Sequence, residues 1–331
     1  MASGLYFTLL LCLSCGLWIE ADAGCQPTAP PCRCPSGWSQ YGKRCFRFIN
    51  SERDWASSEQ TCIAYGGNLA SFHNINEFNF LRALVYGAIR SYKNTWVGGN
   101  DAAKDGVWMW TDGSRFDYIR WYKGEPNNSG GRESCLEINV KGGNQVNDEK
   151  CTTRRPFICS STHSCNKMAS GLFFSLLFCL SCGLLIEATI KRPPSKGSEC
   201  RCPEGWTPYN QSCFLYVDEA QTWADAERAC INRGGNLASF HSEAEYNAIK
   251  QLISNNAWVG GFDAVMEGVW LWSDGSSFDY TNWADGEPNN HGGNENCVMI
   301  YAEGDFTNDA PCIWTLPYVC AKDRRKCYSC P

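Results

Sequence analysis

The chain is written twice. "RDWASSEQTCIAYGG" at 53–67 returns as "QTWADAERACINRGG" at 221–235, and "EPNNSGGRESC" at 125–135 returns as "EPNNHGGNENC" at 287–297. Cys34 aligns with Cys202 and Cys62 with Cys230 at one offset of 168, whereas Glu125 aligns with Glu287 at 162 and Cys159 with Cys320 at 161. Small deletions therefore separate two copies of one unit, and a self-similarity of this length has to be settled before any local element is read. The length of 331 residues agrees with about two domains, each large enough to bury its own core. The expected boundaries are 24–165 for the first domain, 166–190 for an internal apolar join, and 191–331 for the second domain, which opens with the polar, proline-bearing "KRPPSKGSEC".

Twenty-two cysteines point to an oxidising compartment. The N-terminus agrees: "MASGLYFTLLLCLSCGLWIEADA" has an apolar stretch too short for an ordinary membrane span and ends in Ala21-Asp22-Ala23, the small-x-small pattern of a signal peptide over residues 1–23. That segment recurs at 168–188 as "MASGLFFSLLFCLSCGLLIEA", with its own Met168. Retained as a stop-transfer helix, it would leave the second copy's cysteines in a reducing cytosol, so a membrane anchor contradicts the chemistry. The preferred reading is a tandem duplication in which a second complete precursor, signal included, follows the first, as when two neighbouring genes are joined in one reading frame. A fused chain with an apolar linker, or one cut there in the lumen, stays open. The expected location is extracellular. With 29 Lys+Arg against 35 Asp+Glu and no basic run, neither nucleic acid nor an anionic membrane is expected as a partner.

Each copy begins helical and ends in strands. The repeated "DWASSEQTC" and "TWADAERAC" stretches carry apolar residues at helical spacing and stop at Gly-Gly. A second helix is expected in "HSEAEYNAIKQLI", where Ser242 and Glu245 form a capping box, and in "NINEFNFLRALVYGAI". After "TWVGGND" and "AWVGGFD", the runs "GVWMWTDGS" and "GVWLWSDGS" read as strands bounded by turns.

Taken together, "CPSGWSQYGKRCF" and "CPEGWTPYNQSCF", the "WVGG" strand, the EPN loop, "VND" or "TND", and the closing "PFIC" or "PYVC" resemble the C-type lectin family in order and spacing over nearly all of each half. The layout is similar to the short secreted lectins of fish and the type II antifreeze proteins. The resemblance implies an α+β fold with two C-type lectin-like domains, each having two helices, short antiparallel sheets, a long calcium-binding loop region and three core disulfides. It pairs Cys34–Cys45, Cys62–Cys159 and Cys135–Cys151 in the first copy, and Cys202–Cys213, Cys230–Cys320 and Cys297–Cys312 in the second. Left over are Cys25, Cys32 and Cys165, then Cys200, Cys327 and Cys330. Three per copy is odd, so at least one thiol per mature domain is free or reaches another chain, which makes a disulfide-linked oligomer available.

The resemblance also gives the polar loop a chemistry. Calcium takes six to eight hard oxygens, and the family's ligand positions are filled by Glu125, Asn127, Glu133, Asn147 and Asp148, and again by Glu287, Asn289, Glu295, Asn308 and Asp309. Three carboxylates and two amides give each site formal charge −3 against +2. In the family a cis peptide at Pro126 or Pro288 turns the flanking oxygens toward one ion, and a backbone carbonyl of Asp148 or Asp309 adds a sixth. The open positions would take two neighbouring sugar hydroxyls, each giving its hydrogen to a Glu oxygen and accepting one from an Asn amide. EPN in the family goes with the equatorial 3,4-diols of mannose, N-acetylglucosamine and fucose, and QPD goes with galactose. Carbohydrate contacts are therefore expected at Glu125, Asn127, Glu133, Asn147, Glu287, Asn289, Glu295 and Asn308, with the imidazole of His291 packing on the sugar ring where the first copy has Ser129. The expected partners are mannose-type glycans on glycoproteins or microbial surfaces.

A second ion site found in some relatives would draw on Asp101, Asp105 and Asn128, and on Asp263, Glu267 and Asn290. It is short of charge, with Ser134 and Asn296 standing where an acid is often found. Trp96, Trp108, Trp110 and Trp121, with Trp258, Trp270, Trp272 and Trp283, read as core rather than sugar platform. Asn210 heads a glycosylation sequon; Asn127 does too, but a glycan there would destroy the ion site. The four histidines lie far apart and no nucleophile-base set is visible, so the chain is expected not to be an enzyme. An ice-binding protein of the type II antifreeze kind is the alternative function on the same fold.

Overall fold

The computed structural model describes residues 34–162 and 201–324. The two signal-like segments and Cys25, Cys32, Cys165, Cys200, Cys327 and Cys330 lie outside the described residues, as do the outermost limits of both expected domains.

In the first half a hairpin of β1 (Ser39–Tyr41) and β2 (Arg44–Arg53) leads into α1 (Trp55–Ala64), β3 (Asn68–Leu69) and α2 (Ile75–Ile89). Then follow β4 (Thr95–Asn100), β5 (Met109–Trp110), β6 (Cys135–Ile138), β7 (Val146–Glu149) and β8 (Arg155–Thr162). The second half repeats the order as β9 (Thr207–Tyr209), β10 (Ser212–Gln221), α3 (Trp223–Asn232), β11 (Asn236–Leu237), α4 (Glu243–Lys250), β12 (Ala257–Phe262), β13 (Leu271–Trp272), β14 (Cys297–Ile300), β15 (Thr307–Ala310) and β16 (Leu316–Asp323).

Local chemistry sets the helix ends. Asp54 caps α1 by accepting from the Ser57 N–H at 2.8 Å, and the chain leaves the helix through Gly66 at φ 79°, a left-handed position that favours glycine. Ser242 caps α4 as expected, accepting from the Glu245 N–H at 3.3 Å, while the Glu245 carboxylate reaches back to the His241 N–H at 2.8 Å. That helix ends at Lys250 rather than running through Ile253, because Leu252 turns back onto the Ile249 carbonyl.

Each half builds one eight-stranded sheet, in the order β1-β2-β8-β4-β6-β7 with β3 on β8 and β5 on β4, and likewise in the second half. The expectation of short antiparallel sheets needs one correction. β4 pairs β8 in parallel, with Trp96 opposite Phe157, and β12 pairs β16 in the same sense. The path from β4 to β8 runs through β5, the polar loop, β6 and β7, a connection long enough for the crossover that parallel neighbours require. The runs around Trp108 and Trp270 were expected as whole strands, but only Met109–Trp110 and Leu271–Trp272 are strand; glycine-bounded turns take the rest.

All six expected disulfides form, with the longest closing Cys62 to Cys159 over 97 residues and Cys230 to Cys320 over 90. On the chain-entropy account a loop of that length stabilises by roughly 4–5 kcal/mol. Trp55, Trp96, Trp110, Trp223, Trp258 and Trp272 are fully buried, and Trp108, Trp121, Trp270 and Trp283 pack half-buried against the same cores. Beneath the α1–β3 corner sits a carboxylate in each half. Glu59 accepts from Asn68 Nδ2 at 2.7 Å and the Leu69 N–H at 2.7 Å, and Glu227 accepts from Asn236 and Leu237 in the same way at 2.6 Å.

Candidate functional site

The β6–β7 ladder fixes one wall of the polar loop. Cross-strand register sets Leu136 opposite Asp148 and Glu137 opposite Asn147, and in the second half Val298 opposite Asp309 and Met299 opposite Asn308. Asp148 and Asp309 are fully buried, a position that a charged carboxylate tolerates only when its oxygens are matched. Loop amides supply part of that match. The Asn127 and Asn128 N–H groups donate to the two oxygens of Asp148 at 3.2 and 2.7 Å, and those of Asn289 and Asn290 donate to Asp309 at 3.2 and 2.8 Å.

The loop closes over this floor. The Glu125–Pro126 and Glu287–Pro288 bonds are cis, as the resemblance implied. Asn127 donates through Nδ2 to Glu125, and Asn289 does so to Glu287 at 2.8 Å. A tight turn then bends at Asn128 and Asn290, with φ of 42° and 44°, a conformation asparagine adopts more readily than most residues. Glu133 accepts the Ser129 N–H at 3.0 Å, and Glu295 accepts the His291 N–H at 2.8 Å.

The acids crowd one another. Burial first, and then the Asp148 carboxylate within hydrogen-bonding reach, push the Glu125 carboxyl above its ordinary value. Burial and then Asp309 do the same to Glu287, and burial followed by the charges of Glu149 and Asp148 raises Glu133. Four of the five expected ligands in each half are thus held on one small surface. The fifth differs between halves: Asn147 donates through Nδ2 to Glu137 at 3.3 Å, whereas Met299 fills the place of Glu137 in the second half.

A neighbouring cluster forms from the residues expected for the second ion site. Asn128 donates to Asp105 at 3.0 Å, Asp101 accepts the Gly106 N–H at 2.8 Å, and Asn290 donates to Glu267 while Asp263 accepts the Gly268 N–H at 2.7 Å. Burial, with Asp105 and Asp148 adding to it, pushes Asp101 to about 6; burial, with Glu267 and Asp309, pushes Asp263 to about 7. One oxygen of each aspartate is buried without a hydrogen-bond partner, an arrangement that a hard cation would relieve. Among the described residues no three His, Cys, Asp or Glu side chains by themselves form a metal cluster.

Two neighbours escaped the sequence reading. Glu137 is buried with Arg155 and Asn94 on its oxygens, each at 2.7 Å. Tyr301, whose ring packs on Phe306 at 5.3 Å, is held above its ordinary range by burial and then by the charges of Glu287, Glu295 and Asp309. Alternation in "CLEINV" sets Glu137 on the face opposite Leu136 and Ile138, which reads as solvent-facing, so the sequence neither marks its burial nor assigns it a partner. A cleft of about 1000 Å³ lies between the halves and is lined by Arg44, His73 and Asp112 with Arg233, His241 and Asp274.

Comparison with known proteins places this geometry in a context. A family model described as "Lectin C-type domain" matches residues 51–161 and 219–322. The chain is 44% identical over 160 residues to the galactose-specific lectin nattectin of Thalassophryne nattereri, covering 48% of this chain and 98% of that protein. It is 28% identical over 303 residues to the C-type mannose receptor 2 of Mus musculus, covering 88% of this chain but only 19% of the receptor. Among solved structures, a calcium-independent type II antifreeze protein is 38% identical over 37% of this chain and 95% of its own, with a TM-score of 0.36.

Proposed function

The chain belongs to the C-type lectin family, whose domains bind carbohydrate rather than catalyse, and from that premise we propose that it is a secreted, calcium-dependent lectin with one mannose-type site in each half. The observation that carries the reading is the paired carboxylates Glu125–Asp148 and Glu287–Asp309, each joined by Asn127 or Asn289 and by Glu133 or Glu295, in the same register twice. Such crowding of hard oxygens suits a divalent cation better than it suits water.

In this reading Glu125, Asn127, Glu133, Asn147 and Asp148 hold one calcium, and Glu287, Asn289, Glu295, Asn308 and Asp309 hold the other. The ion supplies a positive centre for two vicinal hydroxyls of a sugar. The protein supplies orientation: Glu oxygens accept the hydroxyl hydrogens and Asn amides donate to the hydroxyl oxygens. Both halves carry the Glu-Pro-Asn order, which supports mannose-type over galactose-type diols, and the ligands that fit are glycans on glycoproteins and microbial surfaces, a use in innate recognition. The name of nattectin favours galactose instead, so the test has to separate the two sugars.

Passing the protein over immobilised mannose in calcium tests this. The expected result is retention, release by a chelator, and release by free mannose but not by galactose. Retention that ignores the chelator, or release by galactose alone, contradicts the reading. Thermal hysteresis with no retention by any sugar would favour the antifreeze alternative.

A further inference from the structure

The described residues of both halves fall within one compact unit, and their contact is almost self-complementary. Asn68 in the first half donates to the Gly275 carbonyl of the second at 2.9 Å. Asn236, its counterpart in the repeat, donates to the Gly113 carbonyl at 3.0 Å, and Gly113 is the counterpart of Gly275. Residue i thus meets j while j′ meets i′, which is the signature of a two-fold, isologous interface. The backbones come close: a Cβ at Gly113 would lie 2.9 Å from Asp274 Cα, and one at Gly275 would lie 2.9 Å from the Thr111 carbonyl oxygen. One buried apolar cluster runs through both halves, with Ala103 and Met109 from the first and Val265 and Leu271 from the second.

Against this symmetry stands one asymmetric contact. Lys104 Nζ lies 2.5 Å from Asp225 Oδ2 and 3.4 Å from Thr222 Oγ1. Burial pushes Asp225 up, but Lys104, then Thr222 and Arg228, more than reverse it and hold the carboxyl below its ordinary value. The repeat puts Met266 where Lys104 stands, and Ser57 and Asp54 where Asp225 and Thr222 stand. Two second halves paired in the same way would press Met266 on Asp225 twice. Two first halves would turn each Lys104 toward an Asp54 whose oxygens already serve the Ser57 N–H and hydroxyl.

We infer that the Asn68–Gly113 face of the first half and the Asn236–Gly275 face of the second are a matched pairing surface, which holds the halves together after the chain is severed between them and selects the unlike pair over either like pair. The inference is independent of calcium and sugar. Cleavage between the halves, which the internal signal-like segment invites, would then release a two-site pair rather than two single lectins.

The test uses the full chain with a protease site placed between residues 163 and 200 and with Cys25, Cys32, Cys165, Cys200, Cys327 and Cys330 replaced by serine, so that only non-covalent pairing remains. After cutting, native mass spectrometry and sedimentation at micromolar concentration should find one complex of one first and one second half. Lys104→Glu should weaken that complex about tenfold through charge repulsion, and adding Asp225→Lys should restore it. Two separate monomers, a statistical mixture of like and unlike pairs, or indifference to Lys104→Glu would each overturn the inference.

Discussion

Exchanging Glu125→Gln with Asn127→Asp preserves the oxygens and the charge of the first loop yet reverses which group accepts and which donates toward a bound diol. Calcium binding should persist, mannose binding should vanish, and weak galactose binding should appear, since no packing surface for galactose has been supplied. Glu287→Gln with Asn289→Asp should act likewise in the second half; a glycan array run on both variants reads the outcome, and mannose binding that survives the exchange contradicts the donor–acceptor account. The two sites should also differ from each other. Asn147 gives its amide hydrogen to Glu137, while the second loop has an exposed His291 in place of Ser129 and Tyr301 close enough to sense Glu287 and Glu295. The second half should bind mannose more tightly by about 1 kcal/mol, the worth of a modest added apolar contact. Calorimetry on full chains with the other loop's Glu and Asn replaced by alanine measures the difference, and equal affinities or a tighter first half would remove it.

Elements explain both what the sequence disclosed and what it hid. Helix α1 was legible because its apolar residues recur at helical spacing and Gly66-Gly67 ends it, and the disulfides followed from the resemblance. Parallel pairing of β4 with β8 was not legible, because side-chain alternation reports which face is buried and says nothing about the direction of a neighbour. At the site, the candidate ligand set came from the resemblance, but the Glu137–Asn147 contact arises only when β6 and β7 adopt their register. The buried pair Glu59 and Glu227 was likewise invisible: a glutamate on the helical repeat reads as a solvated residue until β3 and β11 close over it. Burial raises both carboxyls to about 7, with the Asn68 or Asn236 amide and a backbone N–H opposing the shift. Because the folded value lies above the ordinary 4.5, this contribution to stability is complete below about pH 4.5 and is lost as pH rises to about 7, amounting to at most about 3 kcal/mol per carboxylate. Denaturant unfolding in chelator at pH 5 and pH 7.5 should show that loss, and Glu59→Gln should flatten the part that belongs to the first half. A slope unchanged by Glu59→Gln would contradict the assignment.

At the scale of the molecule, one chain carries two matches to the lectin family, at 51–161 and 219–322, and two signal-like segments, 1–23 and 166–190, so under the proposed secretion processing decides which species is released. We expect secreted material to show two mature N-termini, near Gly24 and near Thr189, and intact-mass spectrometry finding a single species that spans both halves would contradict this. Each product keeps its own loop. The central claim, that each half binds a mannose-type sugar through a calcium ion, is tested most directly by titrating the intact protein with mannose and with galactose, in calcium and again in chelator. The account predicts two equivalents of mannose bound per pair of halves in calcium, little or no galactose, and no binding once calcium is removed; mannose binding that persists in chelator, or galactose binding without mannose, would contradict it.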